Sequence, residues 1–246
     1  MRQRLRGNQL QGVFTTSTGC KFKYGPWKSE SSYGLIVPLE GMINQHAVLE
    51  VSKFMMELEY SEIFTSPLTP EEKPQFLEFG YMVEETLILM KRSFDIPLQT
   101  KDRKKLSTHK FRKKDLSEIL KVDHASFDTF WRFDENAFLN AKKATPYVRI
   151  RVIRKNNQIV GYAITGAGIK DGFIQRLAIS PDYQNCGFGT LLLNDGLDWL
   201  HRKGVSNVWV NTQPTNQTAI NLYKKTKFEI SKDELSVLRF SSGMQT

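Results

Sequence analysis

Residues 173–190 read Phe173-Ile174-Gln175-Arg176-Leu177-Ala178-Ile179-Ser180-Pro181-Asp182-Tyr183-Gln184-Asn185-Cys186-Gly187-Phe188-Gly189-Thr190. A short apolar strand runs into Pro181, then into a loop with two glycines, then into the amphipathic run Leu191-Leu192-Leu193-Asn194-Asp195-Gly196-Leu197-Asp198-Trp199-Leu200. Strand, loop and helix start make a site for an anionic group. The first N–H groups of a helix have no intrahelical acceptor, and the helix dipole favours negative charge beside them. Gly187 and Gly189 leave no Cβ between such a group and the backbone.

Working outward, a helix over 190–203 and a strand over 205–212 lead to Asn216-Gln217-Thr218-Ala219-Ile220-Asn221-Leu222-Tyr223. With this second motif the chain resembles the GNAT family of acetyl-CoA-dependent N-acetyltransferases. That family carries Gln/Arg-x-x-Gly-x-Gly/Ala after its fourth strand and Asn-x-x-Ala-x-x-Leu-Tyr on its last helix. The resemblance covers roughly residues 106–240 and implies a mixed α/β sheet with helices on both faces. It also implies acetyl-CoA as co-substrate, with direct transfer to a primary amine, either a protein α-amine or a small-molecule amine. The backbone of Gln184, Asn185, Cys186, Gly187, Phe188, Gly189 and Thr190 would hold the pyrophosphate. The main chain of Leu177, Ala178 and Ile179 would meet the pantetheine arm and the thioester oxygen. Asn216 would bind that arm, and Tyr223 would give its proton to the leaving sulfur.

Two positions depart from the family pattern. Thr226-Lys227-Phe228 stands where Leu-Gly-Phe is usual, so Lys227 is expected in a left-handed conformation at a cost of about 1–2 kcal/mol. Gln175 stands where many relatives place a Glu base, and it cannot ionise. Proton removal would then run through a water held by Gln175 or through a carboxylate elsewhere. Asp134 and Glu135 are candidates, since Phe130-Trp131-Arg132-Phe133 beside them reads as acceptor wall or core. Both also read as plain helix-start residues. Cys186 sits in the phosphate loop, away from the acyl end, and direct transfer needs no acyl-enzyme.

Composition narrows the classes further. No apolar run approaches the length of a membrane span, and the start of the chain has no signal-type apolar stretch. Cys20 and Cys186 give no disulfide framework and fit a reducing cytoplasm. The four histidines have no metal-ligand spacing, so no metal is expected. Of the net charge of +9, residues 1–28 carry +6 and residues 101–114 carry +7, which leaves −4 for the rest. The basic character therefore belongs to a tail and a connector. No aromatics sit within 101–110 to stack on bases, which argues against RNA. The alternative function is a non-catalytic acyl-CoA-binding or RNA- or ribosome-associated module that keeps the fold.

The basic run 101–105 marks a boundary between residues 1–100 and an acetyltransferase domain over 106–246. In the second part a strand is expected over 106–111. Asp115 and Glu118 read as a capping box for a helix over 116–125. Asp134 should cap a helix over 135–143. A hairpin over 147–165 should turn at Asn156-Asn157, and a last hairpin should end at 235–240. The first part carries an echo of this. Thr65-Ser66-Pro67, Phe76, Tyr81 and Val83 each stand 147 positions before Thr212-Gln213-Pro214, Tyr223, Phe228 and Ile230. Residues 43–59 read as an amphipathic helix. This suggests a truncated, degenerate copy of the same unit, without phosphate loop or tyrosine hydroxyl.

Overall fold

The computed structural model describes residues 11–28, 30, 32–94 and 107–241. The linker 101–105 and the first ten residues of the basic tail lie outside them. The chain forms two compact units. One holds Met1–Ile88 with Lys232–Thr246, and the other holds Leu89–Ser231. Both the fifth strand and the last strand are divided between units.

The first stretch of chain runs β1 (Gly12–Thr15), β2 (Lys21–Pro26), β3 (Tyr33–Glu40), α1 (Gln45–Glu57), β4 (Glu62–Thr65), α2 (Lys73–Phe79) and β5 (Met82–Ser93). After β6 (His109–Lys110), α3 (Leu116–Ser126) and α4 (Glu135–Lys143), the order recurs. It runs β7 (Tyr147–Lys155), β8 (Gln158–Ala167), β9 (Asp171–Ile179), α5 (Phe188–Arg202), β10 (Asn207–Thr212), α6 (Gln217–Lys225) and β11 (Glu229–Ser241). In each run three strands pair antiparallel, a helix crosses over, and a fourth strand joins the third in parallel.

In the first unit α1 and α2 bury Val48, Val51, Met55 and Phe76 against Phe22, Ile36 and Ile63. Leu238 and Phe240 of β11 belong to this core. β11 pairs antiparallel with β4, Arg239 opposite Phe64 and Phe240 opposite Ile63. In the second unit the strand beside β10 is the end of β5. Ser93 Oγ donates to Asn207 Oδ1 at 3.3 Å, and the Phe94 N–H to the Ser206 carbonyl at 3.1 Å. The last strand of each repeat thus completes the sheet of the unit built from the other.

The second unit is the one with the motifs. β8 is buried along almost its whole length, because both its faces are covered. Ile119 and Phe138 of α3 and α4 pack on Tyr162 and Ile164. Phe188 and Leu192 of α5 pack on Val160 and Ala163. The β7–β8 hairpin turns at Asn156 and Asn157, with φ of +48° and +66°, which asparagine tolerates better than most residues. The Asp134 carboxylate accepts from the Ala137 N–H at 2.7 Å, as its capping position predicts. Lys227 holds φ +68°.

Three local expectations need correction. Asp115 and Glu118 form no capping box for α3. A 3-10 turn, Lys113–Asp115, precedes the helix. Asp115 therefore reaches back to the Arg112 N–H and to Arg154, while Glu118 accepts from the Ile159 N–H at 3.0 Å. The strand expected over 106–111 is described only at His109–Lys110. The last hairpin is instead one strand of 13 residues. Its polar stretch Lys232–Glu234, which reads as a turn, supplies solvent-facing strand positions.

Candidate active site

The phosphate-loop expectation can be followed residue by residue. After β9 the chain makes a 3-10 turn, Pro181–Tyr183, and the Gln184 side-chain amide ties back to the Ile179 carbonyl at 3.1 Å. Asn185 holds φ +59° and Gly187 φ +82°. Gly187 is the N-cap of α5 and brings no side chain to the orphan amides of the first turn. A Cβ on Gly187 would meet nothing within 4 Å. Residues 184–187 are exposed. The Gln184 N–H is taken by the Pro181 carbonyl at 3.2 Å, so the exposed donors at this helix start begin at Asn185, and such a donor set fits a pyrophosphate. A Cβ on Gly189 would lie 3.2 Å from Leu222 Cδ2, so that glycine also lets α5 approach α6.

β9 is built to expose main chain. Its register with β8 slips, so that Ile174 faces Thr165 and Arg176 faces Ile164. Gln175 is the extra, bulged residue. On the opposite edge β10 pairs with β9 over Asp171, Gly172 and Phe173 and then parts from it. Among the described residues the edge of Gln175 to Ile179 turned toward β10 has no strand partner, and at its end the Ile179 carbonyl accepts from side chains of Gln184 and Ser126, both at 3.1 Å. The Gln175 amide donates to Thr145 Oγ1 at 3.4 Å.

α6 borders this opening. Asn216 is its N-cap, and the side-chain oxygen accepts from the Ala219 N–H at 3.1 Å. That leaves its amide hydrogens for another partner. Tyr223 is 5% exposed, with its ring 5.6 Å from that of Phe228. Burial pushes its hydroxyl well above the ordinary tyrosine range, and the charge of Arg176 pulls it part of the way back. Thus Gln175, Leu177, Ala178 and Ile179 lie on one strand, residues 184–190 at the helix start that follows, and Asn216 and Tyr223 on the neighbouring helix.

The sequence reading missed a cluster on the α3 side of β9, the side that also carries Gln175. Arg176, 9% exposed, grips the fully buried Asp123 of α3 with two nitrogens, Nε to Oδ2 at 2.8 Å and Nη2 to Oδ1 at 2.9 Å. Tyr162 donates to the same carboxylate at 2.5 Å. The guanidinium is clasped between Phe127 and Phe133, 3.4 and 4.0 Å from the ring centroids. A charged residue inside Ile174-Gln175-Arg176-Leu177-Ala178-Ile179 was the available signal, since a buried Arg demands a buried carboxylate. Among the described residues no three His, Cys, Asp or Glu side chains gather to hold a metal. Nor is any described helix long and apolar enough to cross a membrane.

The acetyltransferase (GNAT) family model matches residues 113–228. A [ribosomal protein bS18]-alanine N-acetyltransferase of Haemophilus influenzae is 30% identical over 121 residues, 46% of this chain and 82% of that protein. The enzyme of the same description from Escherichia coli K12 is 32% identical over 76 residues, 31% of this chain and 51% of that one. The chain belongs to the GNAT acetyltransferase family and is an acyltransferase. Among solved structures, a tandem GNAT protein from the clavulanic acid biosynthesis pathway superposes with a TM-score of 0.65 at 10% identity. The match covers 94% of this chain and 82% of that one, so the likeness of fold runs through both repeats.

Proposed function

We propose that the second unit moves an acetyl group from acetyl-CoA directly to the α-amine of a peptide. The observation that carries this reading is the parting of β10 from β9 after Phe173, beside the open helix start at Gly187. Main-chain amides of 185–190 would take the pyrophosphate, the Gln184 N–H being bonded to the Pro181 carbonyl. The free edge of Leu177, Ala178 and Ile179 would pair with the pantetheine arm and donate to the thioester oxygen. The amide of Asn216 would hold the arm further along.

The amine nitrogen attacks the thioester carbon, the C–N bond forms and the C–S bond breaks. Tyr223 gives its proton to the departing sulfur, the surplus amine proton leaves to water beside Gln175, and Tyr223 regains a proton from solvent before the next turnover. The choice of an α-amine follows from Gln175. With no carboxylate there, the acceptor must supply its own neutral fraction. At pH 7 that is about one part in ten for an α-amine of pKa near 8, but only about one in 2,500 for a lysine of pKa near 10.4. The curated relatives, named for alanine N-acetylation, point the same way.

The reading makes the first repeat a degenerate copy that binds no coenzyme. It also makes the protein a cytoplasmic enzyme that needs neither metal nor nucleic acid. The test is mass spectrometry of two peptides with acetyl-CoA. One has a free α-amine and no lysine, and the other has a blocked α-amine and one lysine. The first should be acetylated at least about a hundredfold faster, the scale of the difference in neutral fraction. Equal rates would overturn the α-amine assignment. Coenzyme binding with no transfer to either would favour the non-catalytic acyl-CoA-binding alternative, which the non-ionising Gln175 supports.

A further inference from the structure

Arg176 does more than neutralise Asp123. Its Nη2 donates to the Trp131 carbonyl at 2.7 Å. The same carboxylate that it grips accepts the Phe133 N–H at 2.6 Å. With Phe127 and Phe133 on its two faces, the guanidinium organises the whole connection between α3 and α4. Its backbone belongs to β9, between the bulged Gln175 and the free-edged Leu177. One side chain therefore joins the reacting strand to the segment that faces it.

Among the described residues, two buried polar atoms at this joint have no hydrogen-bond partner: the Trp131 indole Nε1–H, a donor, and Gln175 Oε1, an acceptor. A buried donor or acceptor left unpaired is costly, and a ligand that pairs it recovers that cost. The two atoms belong to the residue whose carbonyl Arg176 holds and to the residue before Arg176 in the strand. An α-amino acyl group carries the matching pair, an N–H for Gln175 and a carbonyl oxygen for Trp131. A simple amine carries only the first.

We propose that Arg176 is a positioning residue that sets Trp131 and Gln175 as the donor and acceptor recognising the α-amino acyl end of the acceptor. The inference rests on the acetyltransferase reading above. A planar fork between two rings cannot be copied by an ammonium, so Arg176→Lys keeps the charge but loses the joint. Trp131→Phe keeps the ring and loses only the donor.

The experiment compares two acceptors, a short peptide with a free α-amine and a primary amine lacking the adjacent carbonyl. Both variants should lower kcat/KM for the peptide by about tenfold or more, chiefly through KM, the scale of one lost buried hydrogen bond. Trp131→Phe should leave the carbonyl-free amine and the acetyl-CoA dissociation constant within about twofold, whereas Arg176→Lys, which also releases Gln175, should slow both amines, the peptide by about tenfold more, with the coenzyme dissociation constant again within about twofold. A fall of equal size for both amines, or a parallel loss of coenzyme affinity, would mean general disturbance and overturn the proposal. Unchanged peptide kinetics in Trp131→Phe would do the same. If the unsubstituted protein acetylates neither amine, the acetyltransferase reading itself fails and this inference falls with it.

Discussion

The two repeats end their second helices in the same way. In the first, the Tyr81 N–H reaches the Phe76 carbonyl at 3.0 Å and the Gly80 N–H reaches Leu77 at 3.0 Å. In the second, Phe228 reaches Tyr223 and Lys227 reaches Lys224, both at 3.0 Å. The pairs of residues stand 147 positions apart throughout. They differ where the coenzyme would lie. α1 starts at Asn44, whose side chain accepts from the Ala47 N–H at 2.9 Å, so that helix start satisfies part of itself. α5 starts at a glycine with nothing to offer its amides. β4 stays paired to β3 through its last residue, Thr65, whereas β10 leaves β9 after Trp209. Phe76 is fully buried where Tyr223 carries a hydroxyl. One fold therefore yields a closed unit or an open one, according to a cap, a register and one oxygen.

The comparison breaks most completely if the repeats are separated. Residues 101–246 alone lack Leu89–Ser93 for the edge of β10, and their β11 lacks β4. Two open sheet edges and an uncovered Leu238 and Phe240 should leave the fragment without cooperative unfolding in urea. Supplying residues 1–100 in trans should restore it. A folded, coenzyme-binding fragment would show that the exchange of last strands is dispensable.

The next largest effect is expected at the oxygen. Tyr223→Phe keeps the ring against Phe228 and removes the proton donor, so turnover should fall by about 10²–10⁴-fold. Coenzyme affinity should hardly move, because the lost interaction belongs to the transition state. Near-normal turnover would make Tyr223 a core residue like Phe76. At the helix start, Gly187→Trp should weaken acetyl-CoA binding by about a hundredfold or more in calorimetry, the worth of two charge-assisted hydrogen bonds. The strain of a side chain at φ +82° adds about 1–2 kcal/mol against the fold. Unchanged affinity would remove the phosphate site from this loop. The converse substitution, Phe76→Tyr, should create no activity. It buries a hydroxyl against the edge-on ring of Tyr81, and an unpartnered hydroxyl there should cost about 1–3 kcal/mol in denaturant melts. A stable variant would reveal room that the closed copy does not show.

How much of this was legible depends on whether the cause is local. The Asn156-Asn157 turn, the Asp134 cap and the left-handed Lys227 follow from residues within a few positions, and the sequence states them. The two motifs state the fold of the second repeat because their spacing is tied to a strand, a loop and two helices. The exchange of β5 and β11 is different. Thr86-Leu87-Ile88-Leu89-Met90 and Val237-Leu238-Arg239-Phe240 are both apolar strand sequences, and nothing in either names its neighbour. The polar run before Val237 even imitates a turn. Arg176 sits between these cases. Its burial could be inferred from its apolar flanks, but its partner Asp123 lies 53 positions earlier on an amphipathic helix, among several acidic residues of equal claim.

The finest test of the comparison is at the two helix ends. Gly80 holds φ +109° without penalty, while Lys227 holds +68° with a Cβ. Relief of that left-handed strain in Lys227→Gly is worth about 1–2 kcal/mol. The extra freedom of glycine in the unfolded chain takes back about 0.5–1 kcal/mol. Lys227 is exposed, so no packing is lost. The net expectation is a gain of about 0.5–1 kcal/mol in urea unfolding, with acetyl transfer unchanged, because the Phe228 N–H to Tyr223 carbonyl bond remains. Gly80→Ala should lose about as much as Lys227→Gly gains. A Lys227→Gly variant that is no more stable would mean that the lysine stem supplies contacts offsetting its backbone. One that is more stable but slower would mean that the helix end positions Tyr223, and that the lysine is retained for catalysis at the expense of stability.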